Sequence, residues 1–393
     1  MPRYVITVHY LKVMNMKANK TIALIPPNGD NINQDFSLNR IAIFLNSQRI
    51  DTYLIQVDSK YNKSITQYTK YVITLDTKED IVSYLKNNKF DLIFHRSWMH
   101  RYKFASMLAE EFDNIIFYIK DWHNFPLAKY KFIYKNIEDF EGIERLFKSG
   151  KRILSHFTEE QFIKWAKKYN ASEEQFMFFP EYCTRENFFK RDNIVYNNKN
   201  IKLVMAGTLT PTSEPELVDA KSFYQKIKDI TNLSIEVNVV VLKKFYDLVQ
   251  KEDKYKDYLY EHNFNKYFFI HLGKEMDPSI LKGYDFGIFS DTFYNFELKQ
   301  YPEHYEYAVI SRFVLYLEAG LPVIVNKSMK SLSKIVEDNE IGIVFEDEDI
   351  KDFNQILDIG NEEYLDMVEN VYKFREKYSY NENTMKPILE MLE

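Results

Sequence analysis

Imidazole, carboxylate and indole side chains crowd into two short stretches of the chain. His95-Arg96-Ser97-Trp98-Met99-His100 follows an apolar run at 91–94, and Asp121-Trp122-His123-Asn124 follows another at 115–119. An imidazole in such a place can act as a general base or hold a phosphate or a sugar hydroxyl, and an indole can stack on a sugar face. Two of the protein's three tryptophans lie in these stretches. His95, Asp121 and His123 are therefore catalytic candidates, and Arg96, Trp98 and Trp122 are candidates for binding. Taken singly, each histidine also fits a structural role, packed under a loop with its ring satisfied by backbone carbonyls.

A second set lies later in the chain. Glu303 and Glu306, with His304 between them, precede Ser311-Arg312 and an apolar helical pattern that ends at Ala319-Gly320-Leu321-Pro322. Carboxylates there could hold ribose or sugar hydroxyls, and either glutamate could act near a reacting sugar. Ser311 as a cap would leave a helix amino end and its positive dipole facing an anion, with Arg312 adding a fixed charge. That combination suits a diphosphate.

The elements that must position these groups alternate. Strands are expected at 4–8, 21–25, 52–57, 72–75, 91–94, 115–119 and 151–157, and helices at 36–45, 78–87 and 127–147. The rhythm predicts a parallel, doubly wound sheet, in which loops at the carboxyl ends of strands meet ligands. Asn28-Gly29-Asp30 is such a loop and a candidate for acceptor binding; a plain surface turn is the other reading. Polar residues accumulate over 181–200, which marks a domain boundary. A second alternating set follows, with strands at 201–207, 235–242, 268–273, 286–289, 323–325 and 343–345, and a last helix at 362–378. The expected domains are 1–190 and 191–375, with 376–393 packing back toward the first.

With 393 residues the chain suits two domains. Its formal charge of −6, from 52 basic and 58 acidic side chains, gives no field that would gather nucleic acid. The lone Cys183 excludes an internal disulfide and a cysteine-based metal cluster, and fits a reducing compartment. No membrane span or signal peptide is legible, so a cytoplasmic location is expected. The aromatic, lysine-rich stretch near 129–135 leaves peripheral contact with the inner membrane face open.

The helix-to-strand corner Ala319-Gly320-Leu321-Pro322-Val323-Ile324, behind its tyrosine-rich loop, resembles the donor-binding half of GT-B fold glycosyltransferases. The likeness extends to Lys202-Leu203-Val204-Met205-Ala206-Gly207-Thr208-Leu209 and to Ile341-Gly342-Ile343-Val344-Phe345. It implies an α/β, GT-B architecture, two Rossmann-like domains facing a cleft. It also implies transfer of a sugar from a nucleotide diphosphate donor to a glycan, lipid-linked or protein acceptor. Donor-side residues carried over are Gly207, Thr208, Lys243, His271, Gly273, Ser290, Ser311 and Arg312. No cofactor or metal is implied, and the Asp347-Glu348-Asp349 turn after the last strand reads as a helix-leading acidic turn.

The pattern breaks at one point. Many retaining members carry two glutamates seven residues apart, the second holding the ribose, and here Leu315 stands in that second place. Leucine accepts no hydrogen bond. Three expectations follow: an active transferase, a GT-B protein that has lost catalysis and serves an active transferase as a partner, or a nucleotide-sugar epimerase. Self-association is left open. A dehydrogenase, P-loop nucleotide hydrolase, zinc protease or α/β-hydrolase is disfavoured, because none of their motifs occurs.

Overall fold

Short β-branched and aromatic runs, separated by helical segments with one apolar face, give the chain two parallel sheets. The computed structural model describes residues 19–29, 37–57, 68–98, 102–120, 138–207, 209, 220–273, 277–289 and 306–393. Two units divide the chain, one formed by Met1–Pro180 with Tyr380–Glu393 and the other by Glu181–Ser379.

In the first unit, β1 (Thr21–Ile25), β2 (Asp51–Val57), β3 (Tyr71–Leu75), β4 (Leu92–Trp98), β5 (Ile115–Lys120), β6 (Arg152–Ser155) and β7 (Phe176–Phe178) lie in the order β3-β2-β1-β4-β5-β6-β7. All neighbours are parallel, with Ile25 opposite His95 and Trp98 opposite Lys120. Strand order reverses between β1 and β4, and a crevice forms at the carboxyl ends of strands where such a reversal occurs. β5 is buried from Ile115 to Ile119, as expected of a parallel strand covered on both faces. Arg152 Nη1 donates to the Pro387 carbonyl at 2.7 Å, tying the chain's last helix, Lys386–Leu389, to β6.

The second unit repeats the plan. β8 (Lys202–Ala206), β9 (Glu236–Leu242), β10 (Phe268–Gly273), β11 (Phe286–Phe289), β12 (Val323–Asn326) and β13 (Gly342–Phe345) lie in the order β10-β9-β8-β11-β12-β13, again all parallel. Here the order reverses between β8 and β11. The core of this unit gathers Leu203, Met205, Val237, Val239, Phe268, Phe286 and Ile324 between helices that include Ala220–Asn232 and Asn361–Lys377.

Three expectations change. His95-Arg96-Ser97-Trp98 was expected in the loop after a strand, but β4 runs through Trp98, because β5 continues to pair with it as far as Lys120. Residues 181–200, read from sequence as a boundary, are knit into the second unit. Arg191 donates through its guanidinium to Tyr364 Oη and the Tyr284 carbonyl, and Tyr196 Oη donates to the Leu357 carbonyl. The helix expected over 127–147 is described only as Glu138–Lys148, and residues 121–137 lie outside the described residues, as does the strand expected at 4–8. Among the described residues no helix is long and apolar enough to cross a membrane.

Candidate functional site

The switch point of the second sheet brings together two of the residues singled out for the donor. β8 ends at Ala206, and Gly207 turns away at φ +138°, donating its N–H to the Val240 carbonyl at 3.0 Å. That φ is one side chains rarely adopt. A Cβ built on Gly207 would lie 3.7 Å from Arg312 Cζ and Nη2, so the half-buried guanidinium rests against the glycine. Bare backbone and a fixed positive charge stand side by side, an arrangement that admits a phosphate closely and pairs with it.

The helix Arg312–Ala319 is held in that position by its own Tyr316. Tyr316 is fully buried, and its Oη accepts the Ala206 N–H at 2.9 Å, directly beside the Gly207 turn. Its ring lies over β11 at Gly287, where a Cβ would come within 2.5 Å of ring carbons. Gly287 therefore gives the ring its seat, the ring fixes the helix, and the helix brings Arg312 to Gly207. At the other end Gly320, at φ +71°, stops the helix, and Leu321 N–H closes back on the Tyr316 carbonyl at 2.9 Å.

Ser311 does not cap this helix. Its own backbone is helical (φ −59°, ψ −30°) and its hydroxyl makes no bond to the first turn; a capping side chain needs an extended backbone to reach the free N–H groups. The first turn closes tightly instead, with Phe313 N–H on the Ile310 carbonyl and Val314 N–H on the Ser311 carbonyl. Arg312 is then the chief positive feature at this helix start.

The other donor-side candidates are placed differently. Lys243 opens the helix Lys243–Lys251, is largely exposed and pairs with Asp247 at 3.5 Å, a surface ion pair one turn apart. His271 Nε2 lies 2.7 Å from Asn238 Oδ1, and Asn238 in turn donates to Glu236, so the ring belongs to a polar relay between β10 and β9. Burial, and then the nearby His262, hold the His271 pKa below its usual value. At Gly273 a Cβ would meet Val240 Cγ1 at 2.6 Å, so packing against β9 accounts for that glycine. Glu306 is bonded to Lys330, which raises the lysine's pKa, and the ammonium also lies 5.6 Å from the Tyr307 ring centre. Thr208, Ser290 and Glu303 lie outside the described residues.

In the first unit, the switch point between β1 and β4 carries the remaining candidates. After β1 the Pro27–Gly29 turn brings Asn28 and Gly29 over the strand end, with Gly29 at φ +80° and its N–H on the Pro26 carbonyl at 3.0 Å. His95, opposite Ile25, is wholly buried, edge-on to Phe104 and Phe117 at 5.4 and 5.9 Å. Burial drives its pKa down to about 3, against an upward pull from a hydrogen bond with the Ile25 backbone, and Arg96 adds a lesser downward push. The ring is neutral at physiological pH and a weak base. Arg96 is buried, donates to the Ser97 carbonyl and lies 5.7 Å from the Tyr118 ring centre. The Trp98 backbone ends β4. Asp30, Asp121, Trp122 and His123 lie outside the described residues.

Two residues that brace the helix Arg312–Ala319 against the segment 184–189 escaped the sequence reading. Glu318, fully buried three positions beyond Leu315, accepts the Thr184 N–H at 2.7 Å. Arg375 Nη1 donates to the Phe189 and Glu318 carbonyls, and the guanidinium stacks on Phe188 and Tyr372, each 4.5 Å from its ring centre. Only the helical pattern around Glu318 hinted at either. Among the described residues, no cluster of three or more histidine, cysteine or carboxylate side chains could hold a metal ion.

Comparison with known proteins bears on both units. Residues 224–391 match the family model of the glucosyltransferase 3-like, C-terminal domain. No curated protein matches the chain in sequence. Among solved structures, a glycosyltransferase from Rickettsia africae superposes with a TM-score of 0.65 at 11% identity, covering 96% of this chain and 98% of that one. Sucrose-phosphate synthase from Thermosynechococcus elongatus gives 0.63 at 11%, covering 95% and 98%. An Escherichia coli structure described as trehalose-6-phosphate bound with UDP-2-fluoro glucose gives 0.61 at 9%, covering 95% and 99%. At these identities the likeness is one of fold, and it spans nearly the whole chain.

Proposed function

We propose that this glycosyltransferase of the GT-B fold moves a hexosyl group from a nucleoside diphosphate sugar, with UDP-glucose the donor to test first. The observation that carries the reading is the Arg312 guanidinium resting against Gly207 at the switch point of the second sheet. The match of residues 224–391 to a glucosyltransferase-like domain, and the UDP-2-fluoro glucose in the Escherichia coli relative's description, support the choice of donor.

In that reading the diphosphate lies over Gly207, whose missing side chain lets its oxygens approach the backbone. As the bond from the anomeric carbon to the leaving oxygen breaks, negative charge grows on the diphosphate. Arg312, already in place, stabilises that charge more in the transition state than in the ground state. His95 is neutral and enclosed between two phenyl rings, so any part it plays in the first unit is as an uncharged hydrogen-bonding group. The acceptor is a glycan or glycan-bearing molecule held by the first unit.

The test is release of UDP from UDP-glucose, with and without glycan acceptors, by the native protein and by Arg312→Gln. Removing a donor aimed at developing charge costs about 100- to 1000-fold in turnover, and that loss is expected with the thermal midpoint unchanged. An Arg312→Gln protein as active as the native one would remove the diphosphate assignment. Tight binding of UDP-glucose with no turnover would favour the partner role, and conversion to another nucleotide sugar would favour an epimerase.

A further inference from the structure

The chain passes between its two units at two places, after Pro180 and after Ser379. The two passing segments are joined within the second unit. Cys183 and Ser379 form an isolated parallel bridge, and the Cys183 N–H donates to the Tyr378 carbonyl at 3.0 Å. Tyr378 is also where the helix Asn361–Lys377 stops, with its own N–H on the Phe374 carbonyl at 2.8 Å.

This joint packs against the start of the helix Arg312–Ala319. Phe313, the residue after Arg312, is fully buried; the Tyr378 ring meets it edge-on at 5.7 Å and itself stacks on Phe374 at 5.1 Å. Cys183 Sγ, also fully buried, lies 3.9 Å from the Val314 carbonyl oxygen, one residue further along. A thiol is a weak hydrogen-bond donor, so the ring pair is the firmer of the two contacts. Tyr316 ties the helix to the end of β8, yet a helix tied through one side chain can still pivot about it. Phe313 against Tyr378 supplies a second point, and it stands next to Arg312.

We propose that Tyr378 is a positioning residue for the diphosphate: through Phe313 its ring sets the first turn of the helix so that the Arg312 guanidinium faces Gly207. The proposal rests on the donor reading above and extends it to the joint of the two passing segments. Edge-on ring pairs hold a preferred geometry, and close packing around buried rings leaves them little room for another. Without the Tyr378 ring the first turn, and Arg312 with it, would have to be ordered by the ligand, and that ordering is taken out of the binding free energy. Tyr378 acts through the helix, so its effect belongs to the diphosphate and not to the nucleoside.

A double-mutant cycle on UDP binding tests this, with calorimetric titration of the full chain as native protein, Tyr378→Leu, Arg312→Gln and the two changes together. Tyr378→Leu should weaken UDP about tenfold in the native background and leave it unchanged in the Arg312→Gln background, since a residue that acts through another has nothing left to act on. Uridine, which has no phosphate, should bind Tyr378→Leu as it binds the native protein, and Tyr378→Phe, which keeps the ring, should restore UDP binding. Phe313→Leu probes the same contact from the helix side, with the same expectations, if Tyr378→Leu does not fold. Unchanged UDP affinity in Tyr378→Leu, or an equal loss in both backgrounds, overturns the proposal. UDP affinity untouched by Arg312→Gln would instead overturn the donor reading, whereas a loss with Arg312→Gln and none with Tyr378→Leu overturns this proposal alone.

Discussion

The two sheets reverse their strand order in the same way and each first strand ends in a glycine turn, Gly29 and Gly207, yet the residues around those turns differ. In the second unit the strand end is stripped to backbone: Gly207 turns without a side chain, Gly287 makes room for Tyr316, and one guanidinium is brought alongside. In the first unit the ends of β4 and β5 carry polar side chains, His95 and Arg96 buried within β4 and Lys120 at the end of β5. A bare turn suits a ligand whose charge must come close to the main chain. A crevice of long polar side chains suits a ligand recognised by its substituents. One topology thus carries a bare turn beside a guanidinium in one unit and buried polar strand residues in the other.

The sharpest way to break the contrast is to fill the second crevice from beneath. Gly287→Val puts methyl groups where the Tyr316 ring now lies, and overpacking of this kind costs about 3 kcal/mol. The urea midpoint of the second unit should fall accordingly, with UDP binding lost in the same variant. A midpoint unchanged from the native protein would mean that Tyr316 does not need its seat.

The first crevice should show itself through acid. His95 has a folded pKa of about 3 against about 6.5 when unfolded. Below pH 6.5 the unfolded chain binds a proton that the folded chain refuses, so stability falls as pH drops from 6.5 toward 3 and is unaffected above 6.5. By pH 5 the loss from this residue is about 2 kcal/mol, at about 1.36 kcal/mol per pH unit. Urea unfolding of native protein and His95→Leu at pH 7 and pH 5 measures it: the variant should lose less by about that amount. Equal losses would mean that the ring can be protonated in place.

The smallest effect sharpens the account of how Arg312 is held. Tyr316→Phe keeps the ring on Gly287 but removes the acceptor for Ala206 N–H, at a cost of about 1 kcal/mol. The KM for the donor should rise modestly with little change in fold. A loss as deep as that of Arg312→Gln would show that the hydroxyl contacts the donor itself.

Much of this was legible in the residues and some was not, for reasons that differ by place. Strands such as Phe268–Gly273 and Phe286–Phe289 appeared with their observed bounds because parallel strands buried on both faces are short apolar runs between polar turns. Gly207 and Arg312 were both singled out, but their juxtaposition depends on Tyr316 and Gly287, whose contact no spacing rule reveals. β4 ended too early in the sequence reading because His95, Arg96 and Ser97 look like loop residues; in the fold they are strand residues whose polar groups are enclosed. The stretch 181–200 lacked any period because its groups are satisfied by residues far along the chain, as Thr184 is by Glu318 and Arg191 by Tyr364. Ser311 had the right chemistry for a cap and the wrong backbone.

Hydrogen–deuterium exchange with and without saturating UDP tests the division of labour most directly. Protection should appear in β8 through Gly207 and in the first turn of the helix Arg312–Ala319, and not in β4. Protection confined to β4 and the helix Ser37–Ser47, with the second unit unchanged, would contradict the placement of the donor.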